Sequence, residues 1–437
     1  MKIQLPSLKD IFLVSIVIGV GISYGDLYLF HIIFGIVILH TIRQLICNSF
    51  KLNLNAFQNN YIYFMPLFMF WYFITIFWSI NKLYTLQYIF YIFCGTGIVF
   101  YIVSVFKTPN DLNRGKKILA YVFSIEIALS ILECFSSFRL PISPFSDYVT
   151  FFGREPSLDP TLDSFSVASL IQPPTGFQWN PNDLALTMIT LVPFYLFLNK
   201  NFFLKWIAIS SITTIIIMTS SRSVFLSMGI LFLIYFIFYK RQILPIVLTI
   251  SVSLLFFFQI ENLKESENPQ ISEIANTFST IQNILSDNIL IGESISIREE
   301  LARNGINALK NSYGFGVGAG GSVAIQEKLG GVDGRITSMH NFWLEVIVDS
   351  GILFGIVFLI WYLSLAWNLY LVGLRSKLSH SKYFGKSISL SLIIFIPAAI
   401  TSSSVIYFLP MWLLFGFAIA TLEIESKITL QKKQQFP

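Results

Sequence analysis

Apolar residues in this chain come in long runs broken by short polar segments. A helix needs about 20 apolar residues to cross about 30 Å of hydrocarbon. Twelve runs approach that length, at roughly 8–24, 26–46, 61–80, 84–106, 117–138, 183–199, 203–220, 222–239, 242–260, 342–372, 384–403 and 405–423. The breaks near Asp26 and Ser403 are tight. Strands of a membrane barrel would show alternating segments of about ten residues, whereas these runs are longer and uniformly apolar. The pattern predicts an all-α polytopic membrane protein with about twelve transmembrane helices and a large, partly helical external loop. Three regions follow. Residues 1–260 form a bundle of about nine spans with an external loop at 140–182. Residues 261–341 form the large loop, and 342–437 carry three C-terminal spans and a cytoplasmic tail.

Composition agrees with a bilayer setting. Charged residues are 12% of the chain and hydrophobic ones 54%, against about 25% charge in soluble domains. The first apolar run lacks a small-residue cleavage pattern after it and reads as a retained span. Lys and Arg fix the orientation, since they concentrate in cytoplasmic loops. With the N-terminus inside, the inner segments hold Lys2, Lys9, Arg43, Lys51, Lys107, Arg114, Lys116, Lys117, Lys200, Lys205, Lys240, Arg241, Arg375, Lys377, Lys382, Lys386, Lys427, Lys432 and Lys433. The short outer segments hold only Lys82, Arg139, Arg154 and Arg222. Both termini are therefore expected in the cytoplasm and the large loop on the periplasmic or extracellular side. The net charge of +5 carries no nucleic-acid message. Cys47, Cys94 and Cys134 share no spacing and read as single thiols.

The polar stretch holds most of the candidate chemistry. Arg298, Arg303 and Lys310 lie on a run of helical propensity, and guanidinium forks bind phosphate oxygens bidentately. Five residues apart is about 140° around a helix, so Arg298 and Arg303 need not face one ligand; a solvated face paired with Glu299 and Glu300 is the simpler alternative. The glycine cluster Gly314-Phe315-Gly316-Val317-Gly318-Ala319-Gly320-Gly321 is followed by no Lys-Ser/Thr. It reads as a tight turn rather than a nucleotide loop. His340 and Asn341 end the stretch, with Glu345 and Asp349 behind them. A histidine has the pKa a base needs near neutral pH.

Outside the stretch, Arg222 stands between two apolar runs among small polar neighbours. A charge at membrane depth points into a bundle, a cavity or the interface. Glu126 and Glu133, seven residues apart in the fifth run, share a helix face. They read as a proton relay or as carboxyls that tie helices together. In Trp179-Asn180-Pro181-Asn182-Asp183, Pro and Asp suit a helix start. Capping explains Asp183 and one asparagine. With no Asp-x-Asp pair and only a weak one at Asp159 and Asp163, the expectation is metal-independent chemistry, without cofactor, in which arginines stand where a cation would.

Four pieces together resemble the O-antigen ligase and polymerase superfamily, the WaaL- and Wzy-like membrane glycosyltransferases. They are Gly176-Phe177-Gln178-Trp179-Asn180-Pro181-Asn182; Ser221-Arg222-Ser223; Arg298 eighteen residues before Gly316-Val317-Gly318; and His340-Asn341-Phe342-Trp343-Leu344-Glu345 with Gly351 and Gly355 behind. Arg303 and Gly314 match an arginine–glycine spacing of polymerase loops. Ala302 replaces a usual aromatic, and Asn311-Ser312 a usual His-Pro. The resemblance implies a GT-C-like fold in a bacterial plasma membrane and an undecaprenyl diphosphate oligosaccharide donor. Arg222, Arg298 and His340 would be catalytic, and Arg303, Asn180, Asn182, Asn341 and Glu345 would bind substrate. A glycan acceptor and membrane lipid are the implied partners, with a flippase and a chain-length regulator beside them. A polymerase is the first reading and a ligase the second; a polysaccharide flippase is the rival from another class.

Overall fold

The computed structural model describes residues 7–47, 60–156, 173–198, 202–219, 221–239, 293–331, 337–400, 402 and 405–435. The expected span at 242–260, the first part of the polar stretch at 261–292, and Asp159 and Asp163 lie outside the described residues. The chain is an all-α polytopic membrane protein. Its helices are α1 (Leu8–Ile18), α2 (Leu29–Ile46), α3 (Phe64–Ile74), α4 (Lys82–Val105), α5 (Pro109–Phe135), α6 (Pro181–Leu196), α7 (Phe202–Met218), α8 (Arg222–Tyr239), α9 (Glu293–Asn311), α10 (Gly321–Lys328), α11 (Phe342–Ser350), α12 (Ile352–Arg375), α13 (Ser379–Ala398) and α14 (Leu409–Gln435). The strand content described is one hairpin of β1 (Ser23–Tyr24) and β2 (Leu27–Tyr28), which turns the chain at the tight break near Asp26.

Six helical stretches are long and apolar enough to cross a membrane: Leu29–Ile46, Asn60–Phe77, Lys82–Val105, Pro109–Phe135, Arg222–Tyr239 and Ile352–Arg375. Phe203–Met218 is apolar but shorter. The count of twelve is thus not reached among the described residues. One reason is visible at the first run, where α1 stops at Ile18 and Gly19 takes φ 46°. The expected span at 342–372 is also divided, although α12 alone still suffices to cross: α11 and α12 meet at Gly351, φ 89°. The glycine cluster causes that break by packing against it. A Cβ on Gly351 would stand 2.5 Å from Phe315 O, and one on Gly316 2.4 Å from Gly351 N. Only two backbones without side chains come this close.

Helix directions follow from cross-helix hydrogen bonds. Ser391 Oγ donates to Thr190 O at 2.7 Å and Tyr383 OH to Phe194 O at 2.9 Å, so α13 runs antiparallel to α6. Lys205 Nζ reaches Leu196 O at 2.7 Å, which sets the start of α7 at the end of α6. Tyr235 OH reaches the same carbonyl at 3.5 Å, so α8 runs parallel to α6. The starts of α6 and α8 and the end of α13 therefore share one end of the bundle.

The helices of the polar stretch pack on that end as a unit. Gln326 of α10 donates to Leu301 O of α9 at 3.0 Å and accepts from Asn304 Nδ2 at 3.0 Å. The Asp349 carboxylate of α11 accepts from the Gly320 and Ser322 N–H groups, each at 2.8 Å, which holds the start of α10. Val317 N–H and Gly318 N–H donate to Val348 O and Asp349 O at 2.9 and 3.0 Å. Thr85 Oγ1 donates to Ala319 O at 3.0 Å, and Tyr84 OH bonds Glu327, tying the unit to the first turns of α4.

Candidate active site

The site is built from helix starts. Asn180 precedes α6 and accepts from Asn182 N–H at 2.8 Å, the N-cap geometry its sequence context predicts. Asn341 does the same for α11, accepting from Leu344 N–H at 3.2 Å. Both asparagines thus have a local structural task, and both are half-buried at the same end of the bundle, as is Asn182. The α11 cap is anchored there by Phe342 N–H, which donates to Ala399 O at 3.2 Å, just beyond the end of α13.

Arg222 is the first residue of α8 and half-buried. Arg298 lies near the start of α9, also half-buried. Burial, and then the neighbouring Arg222 guanidinium, push Arg298 below its ordinary value. The bundle arginine and the loop arginine are therefore close enough to feel each other's charge. Positions 298, 301 and 305 share one face of α9. That face meets the segment before α11: a Cβ on Gly305 would stand 2.5 Å from Met339 Cε, and Gln326, which bonds Leu301, reaches Met339 Sδ at 3.6 Å. His340 follows directly and takes φ 46°, a left-handed conformation that L residues adopt at a cost. So α9 carries Arg298 to Arg222 with one turn and packs on the neighbour of His340 with the next two.

Glu345 is 1% exposed and accepts from Tyr88 OH at 3.0 Å. Arg303 sits elsewhere. It is exposed and pairs with Glu299 at 2.7 Å, four residues before it on the same helix, which is the solvated-face arrangement. Glu126 and Glu133 also have tasks. Glu133 Oε2 accepts from Thr175 and Gly176 N–H at 2.7 and 2.8 Å, and Glu126 Oε1 from Gln178 Nε2 at 3.1 Å. They hold down the segment that leads into the α6 cap.

Three neighbours escaped the sequence reading. Arg154 donates through Nε and Nη2 to Gly25 O at 3.0 and 2.8 Å and lies 4.4 Å from the Trp179 ring centre. Tyr88, on Glu345, and Tyr407, in the tight break before α14, are two of many tyrosines. The available signal was weak: an isolated outer arginine, and tyrosines near the ends of apolar runs.

The fold is a helical membrane bundle with two half-buried arginines, Arg222 and Arg298, and a histidine of left-handed backbone, His340, near its helix starts. Residues 187–362 match the family Wzy_C, described as O-Antigen ligase. The chain is also 27% identical over 141 residues to the teichuronic acid biosynthesis protein TuaE of Bacillus subtilis (strain 168), a match covering 32% of this chain and 28% of that relative. Both comparisons support the likeness to the O-antigen ligase and polymerase superfamily, and the chain spans less than a third of the curated relative it matches. The family match contains Arg222, Arg298, Arg303, His340, Asn341 and Glu345 and begins after Asn180 and Asn182.

Proposed function

We propose that this protein polymerises lipid-linked oligosaccharide repeat units, moving the glycan from a polyprenyl diphosphate carrier to the terminal sugar hydroxyl of a second lipid-linked unit. The observation that carries the reading is a pair of half-buried arginines near helix starts, Arg222 of the bundle and Arg298 of the helical unit packed on it, each within reach of the other's charge. Two like charges brought together in a half-buried place suit a ligand with two negative charges, and a diphosphate leaving group has them.

In this reading the acceptor hydroxyl attacks the anomeric carbon as the bond from that carbon to the diphosphate oxygen breaks. The leaving oxygen gathers negative charge, which Arg222 and Arg298 neutralise. His340 takes the acceptor proton. Each atom finds a destination: the glycan on the acceptor oxygen, the electron pair on the diphosphate, the proton on imidazole. Direct displacement inverts the anomeric centre and needs no metal. Glu345 and the Asn180, Asn182 and Asn341 amides bind the polar part of the substrate, and Arg303, on the solvent face of α9, meets it at the rim. The site works at the outer face of a plasma membrane beside a flippase and a chain-length regulator.

A second reading, transfer to a different acceptor, is favoured by the family description O-Antigen ligase. A deletion strain separates the two on a gel: a polymerase deletion leaves single-repeat products, whereas a ligase deletion removes all attached polysaccharide. The test of the site is Arg298→Ala in a reconstituted assay with lipid-linked repeats. A loss of about 10²–10³ in rate is expected from removing one charge-stabilising donor, with insertion and thermal stability kept. Normal chain length in that variant would sink the proposal. Arg222→Lys should restore little of the rate, because an ammonium cannot make the bidentate contact.

A further inference from the structure

A second chamber lies beside this site. Its walls come from the end of α1 and the turn after it (Ile16, Gly19), the β-hairpin (Asp26, Tyr28), α4 (Tyr91), Arg154, the start of α6 (Trp179, Asp183) and the segment leading into α14 (Tyr407, Pro410). Its volume is about 200 Å³, whereas a single water needs about 10–15 Å³. It has room for something larger than a water.

The chamber's polar content is unusual for a void among packed helices. Asp183 is 5% exposed, and among the described residues its carboxyl makes no hydrogen bond. Burying a carboxylate without a donor is costly, so the site as it stands lacks a partner for it. Around it stand four aromatic side chains from different parts of the chain: Tyr28, Tyr91, Trp179 and Tyr407. Arg154 is held over the Trp179 ring and bonded to Gly25 O. Flat aromatic faces with hydroxyl and carboxylate groups between them complement a sugar ring, which has apolar C–H faces and a rim of hydroxyls.

The chamber communicates with the proposed reaction centre through tyrosines. Tyr88, bonded to Glu345, has its ring 5.9 Å from that of Tyr91, which lies 5.8 Å from that of Tyr407. The Tyr407 hydroxyl is within electrostatic reach of both Asp183 and Glu345. Arg222 is on the other flank of this end, on α8, which packs against α6, α7 and α13. The α6 start separates the two flanks. We propose that this chamber is the acceptor glycan subsite: it seats a pyranose of the incoming chain, with Asp183 accepting from its hydroxyls and Trp179 and Tyr407 against its faces. This rests on the glycosyl-transfer reading above, and it assigns the acceptor to the flank away from the arginine pair.

The test uses the full chain in lipid nanodiscs. The probe is the free repeat-unit oligosaccharide, released from the host polysaccharide by mild acid and carrying no diphosphate. Binding is read by saturation-transfer NMR and tryptophan fluorescence. The wild type should bind it, and Asp183→Asn and Trp179→Ala should bind at least ten-fold more weakly with unchanged thermal stability. If either variant fails to fold, Tyr407→Phe keeps the ring, loses one hydroxyl, and should still raise the acceptor KM more than it lowers kcat. Arg298→Ala should bind the free glycan like the wild type while its transfer rate falls by about 10²–10³. Equal binding by folded Asp183→Asn and Trp179→Ala, or none by the wild type, overturns the subsite while leaving the arginine result to judge the transfer reading. Polymer made by Arg298→Ala at the wild-type rate overturns the transfer reading, and this assignment with it.

Discussion

His340 and Tyr313 are the non-glycine residues with positive φ among the described residues. A left-handed conformation costs an L residue roughly 1–2 kcal/mol, and such strain collects at functional sites. At His340 this separates stability from activity. His340→Gly should leave the folding stability unchanged or raise it by up to about 1 kcal/mol, since glycine accepts the conformation freely. It should lower transfer by about 10²–10⁴-fold through loss of the base. Thermal unfolding and the repeat-unit assay on one preparation check both halves; a stability loss with normal turnover would make His340 a structural residue. The residue type and position of His340, Arg222 and Arg298 were legible in the sequence because charge and imidazole stand out in an apolar chain. Its strained backbone was not, because φ is imposed by the cap of α11 and the packing of Met339. Asp183 was legible only as a helix start, since the chamber that isolates its carboxyl is made by parts of the chain as distant as Tyr28 and Tyr407.

Helix breaks carry the next level. The apolar pattern located nearly every described helix, but it fused α11 and α12, because both sides of Gly351 are equally apolar. The break is a tertiary effect, made by the glycine cluster crossing it. Gly316→Ala would drive a methyl against the Gly351 amide at a φ of 85°. It should destabilise the α9–α11 unit by roughly 1–3 kcal/mol, seen as faster proteolysis between α9 and α12 with the remaining spans intact. Intact protease resistance in that variant would show that the two segments do not need this contact. Glu126 and Glu133 teach a related lesson. Their spacing fitted a proton relay as well as a helix tie, and the sequence had no way to display the backbone N–H groups of Thr175 and Gly176 that occupy Glu133.

For the whole molecule, the orientation read from Lys and Arg makes a direct forecast. Cys47 is exposed at the end of α2, whereas Cys94 and Cys134 are buried. With the expected topology, a membrane-impermeant thiol reagent should miss Cys47 in intact cells and reach it after permeabilisation. Arg303→Cys, on the exposed face of α9, should be labelled without permeabilisation. The reverse pattern would invert the topology. One feature of the bundle end has a thermodynamic consequence. Arg222 opens α8, and a helix start carries roughly half a positive charge of its own. A cation there sits at the wrong pole, and Arg298 is a second one within reach of its charge. An anion bound between them would offset the repulsion of the two cations. Arg222→Gln removes one of the two cations. Inorganic pyrophosphate should raise the melting temperature of the wild type and leave that of the variant where it was. Binding of the donor would then begin by offsetting that repulsion.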